Sequence, residues 1–351
     1  MAKARRTTAK LIGGVDIGGT KLHAVVATLD GRVVATARKK TRAKRGFDAV
    51  MDRVVKCLEE ACRAAGVCPK DLAAVGVGAP SPIRKDGTAV DGPNVGWRNA
   101  PVAKSLSRRL GRAVVAENDC NLGTLAEVRL GAGKNATTVV GLFVGTGLGG
   151  GIVHRQEMLR GEARLAAELG HMVVVANGRR CGCGRAGCLE AYASKTGISK
   201  QIRAAVEKDH RRSAISGEAE IDLDNIPSSV LARLYGRRDR VVRAAVDEAA
   251  TYLGIGVANV ITLLGPEKVV LGGGVIEAMG KRLLARVKAA ARAQVFPAAQ
   301  AATSSIVLSK LGDDAVALGA ALYAWDRRRG GPSSGSPTTV PLRGGATTRH
   351  R

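Results

Sequence analysis

Two apolar runs, LIGGVDI from Leu11 and LHAVVATLD ending at Asp30, flank the short turn GGTK, and a third, RVVATARKK, follows the Asp30-Gly31 turn. This spacing predicts a β-meander. Residues 47–65 carry apolar positions at helical spacing and stop at Gly66, which predicts a helix. Ala73–Gly78 predicts a short buried strand, and the turn-rich run 79–97 predicts a long loop, too polar for a helix. A helix over 101–110 and a strand over 113–117 return the chain to the sheet.

A helix is then expected from Asn118 to Gly131, followed by strand TTVVGLFVG, the glycine turn GTGLGGG (145–151) and strand GIVH. The opening plan thus recurs about 125 residues later, which suggests duplicated lobes facing each other across a cleft. Helices over 190–208, 228–264, 279–294 and 314–328, the strand KVVLGGGV and a strand over 305–308 complete the expected elements. Residues 209–227 read as an irregular surface insertion. The polar, Gly/Pro/Ser-punctuated stretch 330–351 is expected to be disordered.

These elements divide the chain into a basic tail (1–10), a small α/β lobe (11–117), a large α/β lobe (118–313) containing a cysteine loop (171–190), a helix (314–328) packing back on the small lobe, and a disordered basic tail (329–351). The length of 351 residues supports two lobes, because single cores stop growing at about 250–300 residues. With 45% hydrophobic and 24% charged residues the composition is that of a globular chain. Aromatics are only 3%, so the core must be aliphatic.

The net charge of +25 raises the question of a nucleic-acid partner. Lys3, Arg5, Arg6 and Lys10 lie before the first strand, while Arg327, Arg328, Arg329, Arg343, Arg349 and Arg351 follow the last helix; without these ten, residues 11–326 retain +15. That surface lacks aromatic interleaving and a long Lys/Arg helical stripe, so nucleic-acid binding is not expected. No apolar run reaches the roughly 18 residues of a spanning helix, and the basic start has too short an apolar part for a cleaved signal. Seven cysteines, three within eight positions, suit a reducing compartment, so a cytoplasmic protein is expected.

Chemistry concentrates in a few segments. Asp16, Gly18, Gly19, Thr20 and Lys21 form a turn whose backbone N–H groups, hydroxyl and ammonium could cradle a phosphate, although a plain hairpin turn would also explain the glycines. It is neither a Walker A loop nor a dinucleotide fingerprint. Gly145, Thr146 and Gly147 open a second glycine-rich turn, and Gly272, Gly273 and Gly274 form a third, which could equally be a tight strand-to-helix connection. Together the three predict a nucleotide held by backbone.

His171, Cys181, Cys183 and Cys188 have the spacing H-x9-C-x-C-x4-C, three thiolates and one imidazole, which is the donor set of a structural zinc site with no open position. Asn118-Asp119 opens a helix, where free N–H groups favour an ionised carboxylate or, more plainly, an N-cap. Glu168 and Glu190 flank the cysteine loop; folding it brings both beside one ion site unless they are merely solvated. Cys57, Cys62, Cys68 and Cys120 lack ligand spacing, and His23, His154, His210 and His350 show no partner pattern.

DIGGTK (16–21), GVGAP (76–80), PN-x2-W (93–97), END-x-N (117–121), GTGLGGG (145–151), E-x2-H (168–171) and CGCGRAGCLE (181–190) together resemble bacterial ROK-family sugar kinases, above all the ATP-dependent glucokinases. The likeness runs from about Leu11 to Asp326. It implies a two-lobed actin-like ATPase (ribonuclease H-like) α/β fold with a zinc-binding loop. Asp119 matches the family's catalytic base, while Asn94, Asn118, Glu168, His171 and Glu190 match the sugar pocket. His171 looks shared, with one ring nitrogen on zinc and the other on the sugar.

The three glycine segments match the phosphate and nucleoside sites. The implied reaction is phosphorylation of a hexose, glucose first, at its 6-hydroxyl by Mg-ATP, with Asp16 orienting Mg²⁺ through water. Kinases of N-acetylmannosamine, N-acetylglucosamine or fructose, and a non-catalytic sugar-sensing regulator, are the alternatives. A homodimer or homotetramer is expected. Ser81 stands where the family usually has glycine, and a reshaped sugar-side loop is expected if that glycine takes a positive φ. The roughly ten residues before the first strand leave no room for the helix-turn-helix of the family's repressors.

Overall fold

The computed structural model describes residues 10–92, 95–217 and 221–330. Strands β1 (Leu11–Ile17), β2 (Lys21–Thr28) and β3 (Val33–Lys40) form the expected meander, with β1–β2 and β2–β3 antiparallel. Helix α1 (Phe47–Ala64) lays Val50, Met51, Val54, Leu58 and Ala61 on this sheet, positions three or four apart on one face. β4 (Val75–Ala79) then pairs parallel with β1.

The stretch expected to be a loop at 79–97 holds part of a separate hairpin, β5 (Ala89–Gly92) and β6 (Trp97–Ala100). Its apolar anchors are sparse: Ile83, Ala89 and Trp97 are buried and Trp97 stands edge-on to Phe47, so polar turn residues mask the short strands. Asn94, assigned to the sugar pocket, lies outside the described residues. α2 (Val102–Leu110) and β7 (Val115–Asn118) follow, the latter parallel to β4. α3 (Asp119–Arg129) leads to the second sheet.

β8 (Thr138–Val144), β9 (Leu148–His154) and β10 (Glu157–Met158) make a second antiparallel meander. After α4 (Glu190–Ala193), α5 (Lys195–Glu207), α6 (Ser228–Gly236) and α7 (Arg240–Leu264), β11 (Lys268–Gly272) joins β8 in parallel. α8 (Gly274–Met279), α9 (Lys281–Arg292), α10 (Gln300–Thr303) and β12 (Ser305–Leu308) complete this half, and α11 (Ala315–Arg328) ends the described chain. The strand orders are β3-β2-β1-β4-β7 and β10-β9-β8-β11-β12. The same plan therefore occurs twice, a meander extended by two parallel strands.

Three expectations are corrected in detail. The helical stretch over 228–264 divides into α6 and α7, because Asp239 caps α7 by accepting the Val241 and Val242 N–H groups. The helix expected over 279–294 is α9, and a separate short helix, α8, precedes it at Gly274–Met279. Of the supposed glycine turn at 145–151, Gly149, Gly150 and Gly151 belong to β9. A Cβ there would lie 2.4 Å from Cys120 Sγ, 2.5 Å from Leu169 Cδ1 and 2.4 Å from Thr124 Oγ1, so these glycines let α3 and the 169–171 turn press on the strand.

One core fills the space between the first sheet and α1, and another lies around α7 against β8 and β11. α11 crosses β1 and β4 and meets α3. The approach is close enough that a Cβ on Gly76 would stand 2.0 Å from the Ala320 carbonyl oxygen, and one on Gly319 2.0 Å from that of Leu122. Residues 1–9 and 331–351, which include most of both basic tails, lie outside the described residues. No helix among the described residues is long and apolar enough to cross a membrane.

Candidate active site

The carboxyl ends of β1, β4 and β7 carry the acidic groups, as parallel α/β sheets commonly do. Asp16 is the penultimate residue of β1, opposite Gly78 of β4, and Ala79 pairs with Asn118 at the end of β7. Asn118 caps α3: its Oδ1 accepts the Asn121 N–H at 3.0 Å. Asp119 is the first helical residue. Its Oδ1 accepts the Cys120 N–H at 2.8 Å and the Asn118 Nδ2–H at 3.1 Å. Asn118 is therefore the cap of α3, and its side-chain amide also aims the Asp119 carboxyl.

Burial pushes the Asp119 carboxyl above its ordinary range, although its local hydrogen bonds oppose the shift. Asp16 is pushed up to about 8, first by desolvation and then by the Asp119 charge, with Lys21 opposing. Glu168 is likewise raised, first by burial; His171 opposes this, and Asp119 and Glu190 add to it. The structure thus brings Asp16, Asp119, Glu168, Glu190 and His171 into one electrostatic neighbourhood.

The ligand atoms of His171, Cys181, Cys183 and Cys188 all lie within 4.8 Å of one another. Cys181 Sγ is 3.8 Å from His171 Nδ1, and Cys183 Sγ is 3.8 Å from Cys188 Sγ. Four donors at roughly 2.3 Å from a tetrahedral centre stand about 3.8 Å apart, so these two separations, with three thiols and one imidazole, are consistent with a zinc site. Short backbone pairings, Val173 with Cys188 and Arg180 with Ala186, fold the loop so that the donors converge.

The loop then leads to the Gly145–Leu148 turn. Glu190 Oε2 accepts the Leu148 N–H at 2.8 Å, and its Oε1 lies 3.4 Å from Cys181 Sγ. Lys195 N–H bonds the Gly145 carbonyl at 3.0 Å, and Thr196 Oγ1–H bonds that of Thr146 at 2.8 Å. A Cβ on Gly145 would meet nothing within 4 Å, so this backbone is open to a ligand. Gly272 ends β11, while Gly273 packs on the Val144 backbone and so sets the third segment beside the second.

Across the site, Gly18 N–H closes its turn on the Lys21 carbonyl, and Lys21 Nζ pairs with Asp313 at 2.8 Å. Glu277 on α8 is raised, first by burial and then by Asp313, with Lys21 opposing. The partners Asp313, Glu277 and Thr196 escaped the sequence reading, since no local spacing links them to the glycine turns. His23, read as packing or surface, is buried against Asp314 at 2.6 Å, with Arg38 Nε donating to its Nδ1. Ser81 is buried and is not left-handed, and its hydroxyl accepts the Asp91 N–H at 3.1 Å. Cavities of about 330 and 220 Å³ lie elsewhere, the larger beside Arg129 and Tyr323 and the smaller beside Ile261.

Residues 12–327 match the model of the ROK family. The chain belongs to the ROK family. A glucokinase of Thermotoga maritima is 33% identical over 320 residues, covering 91% of this ROK chain and 98% of that protein. A xylose repressor of Caldicellulosiruptor bescii is 30% identical over 307 residues, covering 87% of this chain and 76% of that protein. The ROK glucokinase of Streptomyces griseus, crystallised with glucose and AMPPNP, superposes with a TM-score of 0.79 at 32% identity, covering 90% of this chain and 99% of that one. The two five-stranded halves are accordingly the two lobes of the actin-like fold of ROK sugar kinases.

Proposed function

We propose that the protein transfers the γ-phosphoryl group of ATP to the 6-hydroxyl of an aldohexose, glucose first, releasing the sugar 6-phosphate and ADP. One observation carries this reading. Asp119 is a buried carboxyl at the first position of α3, aimed by the Asn118 Nδ2–H and the Cys120 N–H on its Oδ1, and so suits a hydroxyl proton. The complexed Streptomyces griseus glucokinase supports the choice of substrates.

Asp119 accepts the hydroxyl proton as the sugar oxygen bonds the γ-phosphorus and the bond to the β–γ bridging oxygen breaks. Glu168, Glu190 and His171 hold other hydroxyls, and the N–H groups of the Gly18–Lys21 and Gly145–Gly147 turns face the phosphates. Bound with the nucleotide, Mg²⁺ would supply positive charge at the transferred group, and Asp16 would orient it through water. The raised Asp16 fits that role, being a desolvated carboxylate whose ionisation a nearby cation would favour. The zinc set has no open position and therefore holds the sugar-side loop rather than taking part in the transfer.

A coupled ADP-release assay with glucose, mannose, fructose, N-acetylglucosamine and N-acetylmannosamine tests the reading. Glucose is expected to give the highest kcat/KM with ATP, and a repeat with polyphosphate checks the donor. A different best acceptor would reassign the sugar. Binding of a sugar without ADP release from any acceptor would favour a regulator, the reading that the xylose repressor relative supports.

A further inference from the structure

Glu117 stands two residues before Asp119 and is 1% exposed. Its Oε1 accepts the Asn118 N–H at 3.1 Å. Its Oε2 accepts Arg160 Nη1–H at 3.0 Å and Arg164 Nη2–H at 2.9 Å, and both guanidiniums also reach Tyr323 Oη of α11. The arginine side chains are only 6% and 11% exposed. Both belong to the irregular segment after β10 that runs to Glu168.

That segment is conformationally costly. Arg164 at φ 60° and Ala167 at φ 70° are left-handed without being glycine. Such residues persist only where their surroundings fix them. Beyond Leu159, whose N–H still bonds Ile152 of β9, the backbone bonds of the segment are local, from Arg164 N–H to Gly161 and from Ala166 N–H to Arg160. It is the two arginine side chains that reach across to Glu117 on β7, the strand that leads into Asp119. Breaking a buried pair strands an uncompensated charge, which makes the link stiff.

We propose that Arg164 is a positioning residue for the sugar. Its buried bond to Glu117 ties the segment carrying Glu168 to β7, the strand that leads into Asp119, and so sets the spacing between a hydroxyl-holding carboxylate and the base. This inference rests on the sugar-kinase reading. Arg160 shares the cluster, and the left-handed backbone makes Arg164 the cleaner probe because glycine tolerates its φ.

The test uses the full chain with Arg164→Gly, Arg164→Lys and Glu117→Gln. Arg164→Gly is expected to raise KM for the best hexose roughly tenfold, the order of effect that a small misplacement produces, with KM for ATP within about twofold. Hydrogen exchange of amides 165–171 in the ligand-free protein should quicken about tenfold. Arg164→Lys should recover most of both losses, and Glu117→Gln combined with Arg164→Gly should be no worse than either alone. An unchanged hexose KM with unchanged exchange overturns the proposal, as does a drop in Tm with both KM values unmoved. A wild-type chain that releases no ADP with any hexose defeats the kinase reading instead, and the exchange measurement still decides the tether.

Discussion

The Asp16 carboxyl lies within electrostatic reach of the Asp119 carboxyl at the carboxyl edge of the first sheet, and this proximity adds to burial in holding Asp16 at about 8. The consequence for stability has a definite sign. From the unfolded value of 3.8 up to about 8, the folded chain binds more protons at Asp16 than the unfolded chain does. The proton-bound form therefore contributes stability at low pH that is lost as pH rises through the folded value. Asp16→Asn removes this dependence. Thermal melts of the ligand-free protein should show the variant gaining on wild type in Tm at pH 8 relative to pH 5. An equal difference at the two values would show that Asp16 is not held in its protonated form.

Asp119→Asn keeps the shape of the side chain and its helix-entry position while removing the base. A general base contributes about 10²–10⁴-fold, so kcat should fall by at least roughly 10². Glucose affinity by calorimetry should move only slightly, because the hydroxyl holders remain. Near-normal kcat would remove Asp119 from the base role.

The zinc set joins two parts of the site, since the loop that converges His171, Cys181, Cys183 and Cys188 continues into Glu190 and Thr196, which hold the Gly145–Leu148 turn. Cys183→Ser should lower bound zinc, read by atomic emission, from one equivalent towards none. A lost structural ion costs several kcal/mol, so Tm should fall on the order of 10 °C. KM for ATP should rise along with KM for the sugar. A zinc-free variant with unchanged melting would separate the loop from the fold.

Local chemistry was legible wherever neighbours in the chain are also neighbours in space. The apolar stripe of α1, the capping Asn118 and the cysteine spacing all appear within one window of sequence. Long-range partners were not: nothing around Glu117 points to Arg164, and Arg164 itself registers only as one more positive charge. Gly149–Gly151 were misassigned for a related reason. A glycine that opens a backbone to a ligand and a glycine that admits a helix look alike in sequence, and only the position of Cys120 and Thr124 separates them. Short strands such as β5 and β6 escaped because four residues cannot establish a period.

The approach of α11 to the first sheet yields the last expectation. A methyl group on Gly76 would sit 2.0 Å from the Ala320 carbonyl oxygen, and the contact is with backbone on a helix that also touches β1 and α3. Relief would require the whole helix to shift, because no flexible side chain can yield. Gly76→Ala should therefore destabilise at the upper end of overpacking costs, about 3 kcal/mol, read as a lowered urea midpoint. Gly66→Ala is the informative contrast: its added Cβ meets nothing within 4 Å, but its backbone is left-handed at φ 71°. That change should cost only about 1–2 kcal/mol, from backbone strain alone. If the two variants unfold at the same urea concentration, the tight seat of α11 is not what makes glycine necessary at position 76.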